Sequence, residues 1–239
     1  MGEKVCTFCD PEKGGLFHFH ADYGLNFPVD QVPIIKTSHF IAKPDILPLE
    51  PDGYHALIIP QVNIGNEHPL SFAALQSFSD EVGSIVRQLE GKWGNKPILL
   101  AEHGAHQEGG SIQSVYHAHT HAFGIPGGIN PLAYMKDELA RRQIKFKTID
   151  HVDPSTPNNL KHEYKGQSYL YLQCGGEALI AHDPEGTFPS QITQRAMSRL
   201  FNGDELNWKS LGRYGEKNPE LAKLAIQRSL RLVQSCLSL

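Results

Sequence analysis

Apolar residues at Phe72, Leu75, Phe78, Val82, Ile85, Val86 and Leu89 recur mostly at steps of three and four, the spacing that lines one face of a helix. The pattern predicts an amphipathic helix from about Pro69 to Trp93, with Ser71 near its start and Gly94 just past its end. Shorter apolar runs read as strands. Ser38–Ala42 and Tyr54–Ile59, the second ended by Pro60, are joined by a stretch holding Pro44, Pro48, Pro51 and Gly53, and make an antiparallel pair. Pro97–Ala101 is a further strand, followed by a glycine-containing loop over 102–112. Asn130-Pro131 opens a short helix over 131–142, which ends on Arg141 and Arg142, as the helix dipole favours.

Beyond residue 143 the pattern restarts. Ile144–Ile149 alternates apolar and polar, and the runs 168–173 and 177–181 flank Cys174-Gly175-Gly176, a β-hairpin signal. Helical spacing returns over Ser190–Phe201 and Pro219–Cys236, the latter with Leu221, Leu224, Ala225, Ser229, Leu232 and Val233 on one stripe. The fold class expected is α+β: an antiparallel sheet with packed helices over 1–142, and a C-terminal β-hairpin and helical extension over 143–239. Whether that extension forms a separate domain or continues the first sheet is open at this stage.

The run Gln113–Gly124 carries His117, His119 and His121 at alternate positions. In an extended strand these share one face, roughly 6.5–7 Å apart. The other face carries Tyr116, Ala118, Thr120 and Ala122, small enough for close packing against a helix in three of four cases. Imidazole can be nucleophile, acid, base or metal ligand near neutral pH. The preceding Gly109-Gly110-Ser-Ile-Gln113-Ser114 supplies backbone freedom, an amide and a hydroxyl suited to wrapping a phosphate. An imidazole attacking phosphorus there would form a phosphoramidate and split one displacement into two, with a flanking histidine and Ser114 assisting. The rival reading of the row is a metal site, since histidines two apart on a strand can chelate one ion. His55, in an apolar strand, reads as a satisfied core residue, and Ser190-Gln191 as the start of a helix.

Charge and composition narrow the field. A formal net charge of −4 over 239 residues argues against a general binder of nucleic-acid backbones. No apolar run approaches a membrane span and the start lacks an apolar secretory stretch, so the expected location is cytoplasmic. Four cysteines, two of them in Cys6-Thr-Phe-Cys9, suggest half a metal site more than a disulfide framework.

His117-Ala-His119-Thr-His121-Ala-Phe123, preceded by Gln113-Ser-Val-Tyr116, resembles the signature of the histidine triad family of nucleotide hydrolases and transferases. Tyr54–Pro60, the long helix after it and Cys6-Thr-Phe-Cys9 resemble that family in the same order. The resemblance implies a nucleoside phosphate substrate, expected to contain adenine. It makes His119 the nucleophile on the α-phosphate, and has His121, Gln113 and Ser114 contact phosphate or the leaving group. It further implies that Asp45 meets the ribose and Ile46 the base, and that the chain forms a homodimer, as small members do. A structural zinc on Cys6, Cys9 and His117 is implied for some bacterial members, although here the remaining ligand position holds Asn63, a poor zinc ligand. His68 is near enough in sequence to substitute. Hydrolysis and nucleotidyl transfer both fit the resemblance. The non-enzymatic alternative is a nucleotide- or zinc-binding module whose histidine row only holds ligand.

Overall fold

The computed structural model describes residues 32–61, 79–104, 117–150, 166–189, 191–206 and 217–237. Eight strands form one open sheet: β1 (Ile35–Lys36), β2 (Phe40–Pro44), β3 (His55–Pro60), β4 (Ile98–Gly104), β5 (Thr120–Gly124), β6 (Lys147–Asp150), β7 (Ser168–Cys174) and β8 (Glu177–Asp183). Their order is β1-β2-β3-β5-β4-β7-β8-β6 and every pairing is antiparallel. The helices among the described residues are α1 (Ser79–Lys92), α2 (Pro131–Arg141), α3 (Ile192–Asn202) and α4 (Pro219–Leu237). The α+β architecture thus matches the expectation. The C-terminal hairpin pairs directly with β4, so a single sheet runs through both parts of the chain.

Local chemistry accounts for the element ends. Cys174 pairs with Glu177 across Gly175-Gly176, and Gly175 takes φ +58°, a left-handed conformation that a side chain resists. The Asn130 side chain accepts the Ala133 N–H at 3.0 Å at the start of α2, with Pro131 in the first turn. In β3 every residue is buried, as are all five of β5, which requires cover on both faces. Tyr54, on the face opposite His55, packs on Trp93 just after α1, their rings 5.6 Å apart. On the His55 side, Phe123 meets Phe201 of α3 at 6.1 Å. Ala118, Thr120 and Ala122 are all buried, in keeping with the small-residue face expected of that segment.

Two contacts fix the C-terminal helices against the rest. The buried Glu138 carboxylate of α2 gathers Arg141, Arg142 and Arg199, the last from α3 at 2.9 Å. Arg228 of α4, 6% exposed, reaches the β2–β3 connection, donating to the carbonyls of Pro48 at 2.9 Å and Leu49 at 3.1 Å. At Gly53 (φ +91°), a Cβ would lie 2.3 Å from the Arg228 carbonyl oxygen. This close approach and the positive φ both demand glycine.

Replacing Gly53 with alanine is therefore expected to cost about 2 kcal/mol or more, from backbone strain and the clash together. It should lower the thermal midpoint by several degrees. An unchanged midpoint would mean that the β2–β3 connection is not pinned to α4.

Candidate active site

The antiparallel register assembles the site. His55 opens β3 directly opposite Phe123 of β5, with the rings stacked 4.0 Å apart. Counting back two residues from Phe123 reaches His121, which is therefore a diagonal neighbour of His55 on the same face. Their nitrogens meet at 3.0 Å, His55 Nε2 to His121 Nδ1. The turn after β2 brings in Asp45, with Oδ2 3.4 Å from His121 Nδ1 and 3.7 Å from His55 Nε2. Asp45 Oδ1 accepts the Leu47 N–H at 2.8 Å, closing a turn.

The proton positions follow from one backbone contact. Leu49 N–H donates to His55 Nδ1 at 3.1 Å. A neutral imidazole has one N–H, so this contact favours that of His55 on Nε2, donating to His121 Nδ1, against the Leu47 carbonyl, which acts on the same ring as an acceptor. In that arrangement His121 carries its proton on Nε2. The Gln194 carboxamide of α3 lies 2.8 Å from that nitrogen. As placed, the Gln194 amide nitrogen faces it; since amide oxygen and nitrogen are assigned from the hydrogen-bond network, the tautomer read from Leu49 calls for the two to be exchanged, so that the oxygen accepts. The direction of donation is thus Leu49, His55, His121, Gln194.

His119 follows a different rule. Its Nδ1 lies 2.8 Å from the His117 carbonyl, which can only accept, so the proton sits on Nδ1 and the lone pair on Nε2. The ring is partly exposed and lies 5.2 Å from that of His121, edge to face. Burial and then His121 push its imidazole well below the ordinary histidine value. Burial also pushes His55 down to about 3, against the pull of Asp45. For Asp45, burial acts to raise the carboxyl, but His55, His121 and the Leu47 N–H outweigh it and hold the group well below the usual carboxylate range. The site therefore holds neutral His55 and His119 beside a carboxylate.

Several expected residues sit differently from the sequence reading. Regular strand begins only at Thr120. His117, His119 and His121 therefore do not form a uniform row: the His117 ring is buried and donates through Nε2 to the Pro60 carbonyl at 3.1 Å. Asp45 is 7% exposed with both oxygens directed inward, and Ile46 beside it is half-buried. Gln113, Ser114, Cys6, Cys9, Asn63, His68 and Ser190 lie outside the described residues. Two participants were missed. His55 is indeed buried and satisfied, but its partner is His121, and the parity of the two paired strands was the available signal. Gln194 sits three residues past Gln191, which starts α3 at φ +62° without a side-chain cap bond. No local signal singles Gln194 out.

Asp45, His55 and His121 also present three potential ligand atoms within 4.8 Å of one another. Their separations of 3.0, 3.4 and 3.7 Å bracket the roughly 3.3 Å edge of a tetrahedral zinc site. The Leu49 contact opposes a metal there. An ion on His55 Nε2 would put a proton on Nδ1, facing the Leu49 N–H at 3.1 Å. The hydrogen bonding sides with a proton-ordered chain.

No protein-family model and no curated protein matches the sequence. Among solved structures, the chain is similar to a Hit-like protein involved in cell-cycle regulation from Bartonella henselae, at 19% identity over 54% of this chain and 86% of that one, with a TM-score of 0.34. It is similar also to yeast Ap4A phosphorylase Apa2, at 15% identity over 81% of this chain and 72% of that one, with a TM-score of 0.42.

The depressed His55 makes folding pH-dependent. Unfolded, the group takes its proton near 6.5; folded, only near 3. Its contribution to stability is complete above pH 6.5 and is lost as pH falls from there toward 3, at about 1 kcal/mol per pH unit. Urea midpoints measured between pH 7 and 4.5 should fall more steeply for the wild type than for His55→Asn. Equal slopes would overturn the assignment of a buried neutral His55.

Proposed function

We propose that the protein is a histidine triad enzyme that attacks the α-phosphate of a nucleoside phosphate through His119, forming a nucleotidyl-histidine intermediate. The observation carrying this reading is the pairing of opposite tautomers. His119 presents an Nε2 lone pair because its Nδ1–H is held by the His117 carbonyl, and the Nε2–H of His121 beside it, which faces Gln194, is the donor that a bound phosphate would take over. A nucleophile and a donor are thus set side by side, as covalent catalysis at phosphorus requires. The sequence motif supports the same roles.

In the first step His119 Nε2 bonds to phosphorus and the bond to the leaving group breaks. In the second, water or a phosphate-type acceptor displaces His119, giving hydrolysis or transfer. His121 is assigned as the hydrogen-bond donor to the phosphate or the leaving group. Cleavage of a phosphorus–oxygen or a phosphorus–nitrogen bond fits this arrangement. Gln113 and Ser114 are assigned to the phosphate, Asp45 and Ile46 to the nucleoside side, and adenine is the base proposed.

A structural zinc on Cys6, Cys9 and His117 is compatible with the His117 ring. The bond from Nε2–H to Pro60 orients Nδ1 as the ligating nitrogen, the role a carbonyl partner has for zinc-bound histidines. Such an ion would brace the fold without entering the reaction. The further proposals are a cytoplasmic location and a homodimer. No helix among the described residues is long and apolar enough to cross a membrane.

His119→Ala is expected to lose turnover by several orders of magnitude while still binding nucleotide. Wild type mixed with dinucleoside polyphosphates should yield a phosphoramidate adduct on His119 in mass spectrometry at neutral pH, and none in the variant. Wild-type turnover by His119→Ala would end the proposal, and binding without any turnover by wild type would support the non-enzymatic module.

A further inference from the structure

The buried Arg228 has no carboxylate within ion-pair distance among the described residues. Its guanidinium is met by oxygens of amide groups: the carbonyls of Pro48 at 2.9 Å and Leu49 at 3.1 Å, and Oδ1 of Asn202 at 2.8 Å. Asn202 in turn donates through Nδ2 to the Leu49 carbonyl at 2.8 Å. The buried Glu50 favours its charge from beyond ion-pair distance, but a buried cation without a direct ion pair is costly, so the position of this one calls for a physical account.

The bonding supplies it. The Pro48 carbonyl that Arg228 holds and the Leu49 N–H that His55 accepts belong to one planar peptide group. A cation on the oxygen of a peptide draws electron density from its nitrogen and strengthens the N–H as a donor, the cooperative effect of bonded chains. That N–H meets His55 Nδ1 at 3.1 Å. α3 touches both ends of the resulting chain. Asn202 braces the Leu49 carbonyl, and Gln194, two turns earlier at roughly 12 Å along the helix, receives the His121 proton.

We infer that Arg228 and Asn202 are positioning residues, which act through the Pro48–Leu49 peptide to keep His55 as its Nε2–H tautomer and so fix the orientation of the His121 ring beside His119. The inference rests on the proposed role of His121, but the proton arrangement it asserts can be measured without any substrate. A lysine at position 228 cannot reproduce it, because an ammonium is a point donor and cannot span the Pro48 oxygen and Asn202 together in fixed geometry.

The test uses the full chain. Long-range proton–nitrogen NMR of the imidazoles should show His55 and His121 both protonated on Nε2 in the wild type. In Arg228→Lys and Asn202→Ala, His55 should become a mixture containing the Nδ1–H form. With a dinucleoside polyphosphate as probe substrate, kcat should fall by roughly tenfold or more, within the span of general acid–base contributions, while KM stays within about twofold. Guanidinium ion added to Arg228→Ala should restore part of both the tautomer and the rate. Leu224→Ala, a half-buried position on the same helix, should lower stability without moving the His55 tautomer.

A wild-type His55 protonated on Nδ1 would overturn the inference, and that measurement stands even where a variant does not fold. Folded Arg228→Lys and Asn202→Ala with wild-type tautomers and kcat would overturn it as well. If no nucleotide is turned over, the catalytic reading fails alone, and the NMR of wild type and variants still decides the positioning claim.

Discussion

The Leu49 N–H bonded to His55 is the constraint from which the chemistry of this site follows. Two neighbouring imidazoles and a carboxylate offer many protonation patterns, and a backbone amide, which can only donate, removes most of them. With His55 Nδ1 committed as an acceptor, His55 and His121 each have one tautomer left, and the donation runs outward toward α3. His119 is committed in the opposite sense by the His117 carbonyl, which can only accept. Opposite roles for adjacent, chemically identical side chains thus arise from main-chain groups alone.

The fold makes that constraint rigid. The antiparallel pairing of β3 and β5 sets His55 and His121 on one face and one diagonal, and burial on both faces of these strands leaves little freedom to slip. The Leu49 peptide, by contrast, lies in the connection between β2 and β3, where no sheet ladder holds it. The C-terminal helices supply the missing restraint through Arg228, Asn202 and the close approach of Gly53 to the Arg228 backbone. The C-terminal part is thus joined to the rest twice, through the sheet at β4 and β7 and through this clamp beside the histidines.

Much of this was legible in the sequence, and the parts that were not share a cause. Periodicity located α1, α3, α4 and most strands, Asn130-Pro131 located the start of α2, and Gly175-Gly176 located the β7–β8 turn, because these depend on local spacing and backbone freedom. The period-two histidines drew attention to the right segment. The expectation of a uniform row failed at His117 and His119, since regular strand starts only at Thr120. His55 was read as core because its face relative to His121 depends on a register between residues far apart in the chain. Gln194, Asn202 and Arg228 were invisible for the same reason. Each is an unremarkable polar residue on a helix, and only the packing of α3 and α4 against the β2–β3 connection gives it a partner.

The same geometry separates this site from a metal centre built of similar residues. Asp45, His55 and His121 have the composition and spacing of a zinc triangle, so ligand identity alone would decide nothing. What decides is the atom behind His55. In histidine metal sites the nitrogen away from the ion donates to a carbonyl or carboxylate. Here the Leu49 N–H meets the nitrogen behind the ring at 3.1 Å, which favours a proton on the inward nitrogen that an ion would have to displace. Asp45 then serves as a fixed negative charge beside the Nε2–H of His55 and takes no proton itself, since its carboxyl is held well below the usual range. The arrangement stores direction rather than charge.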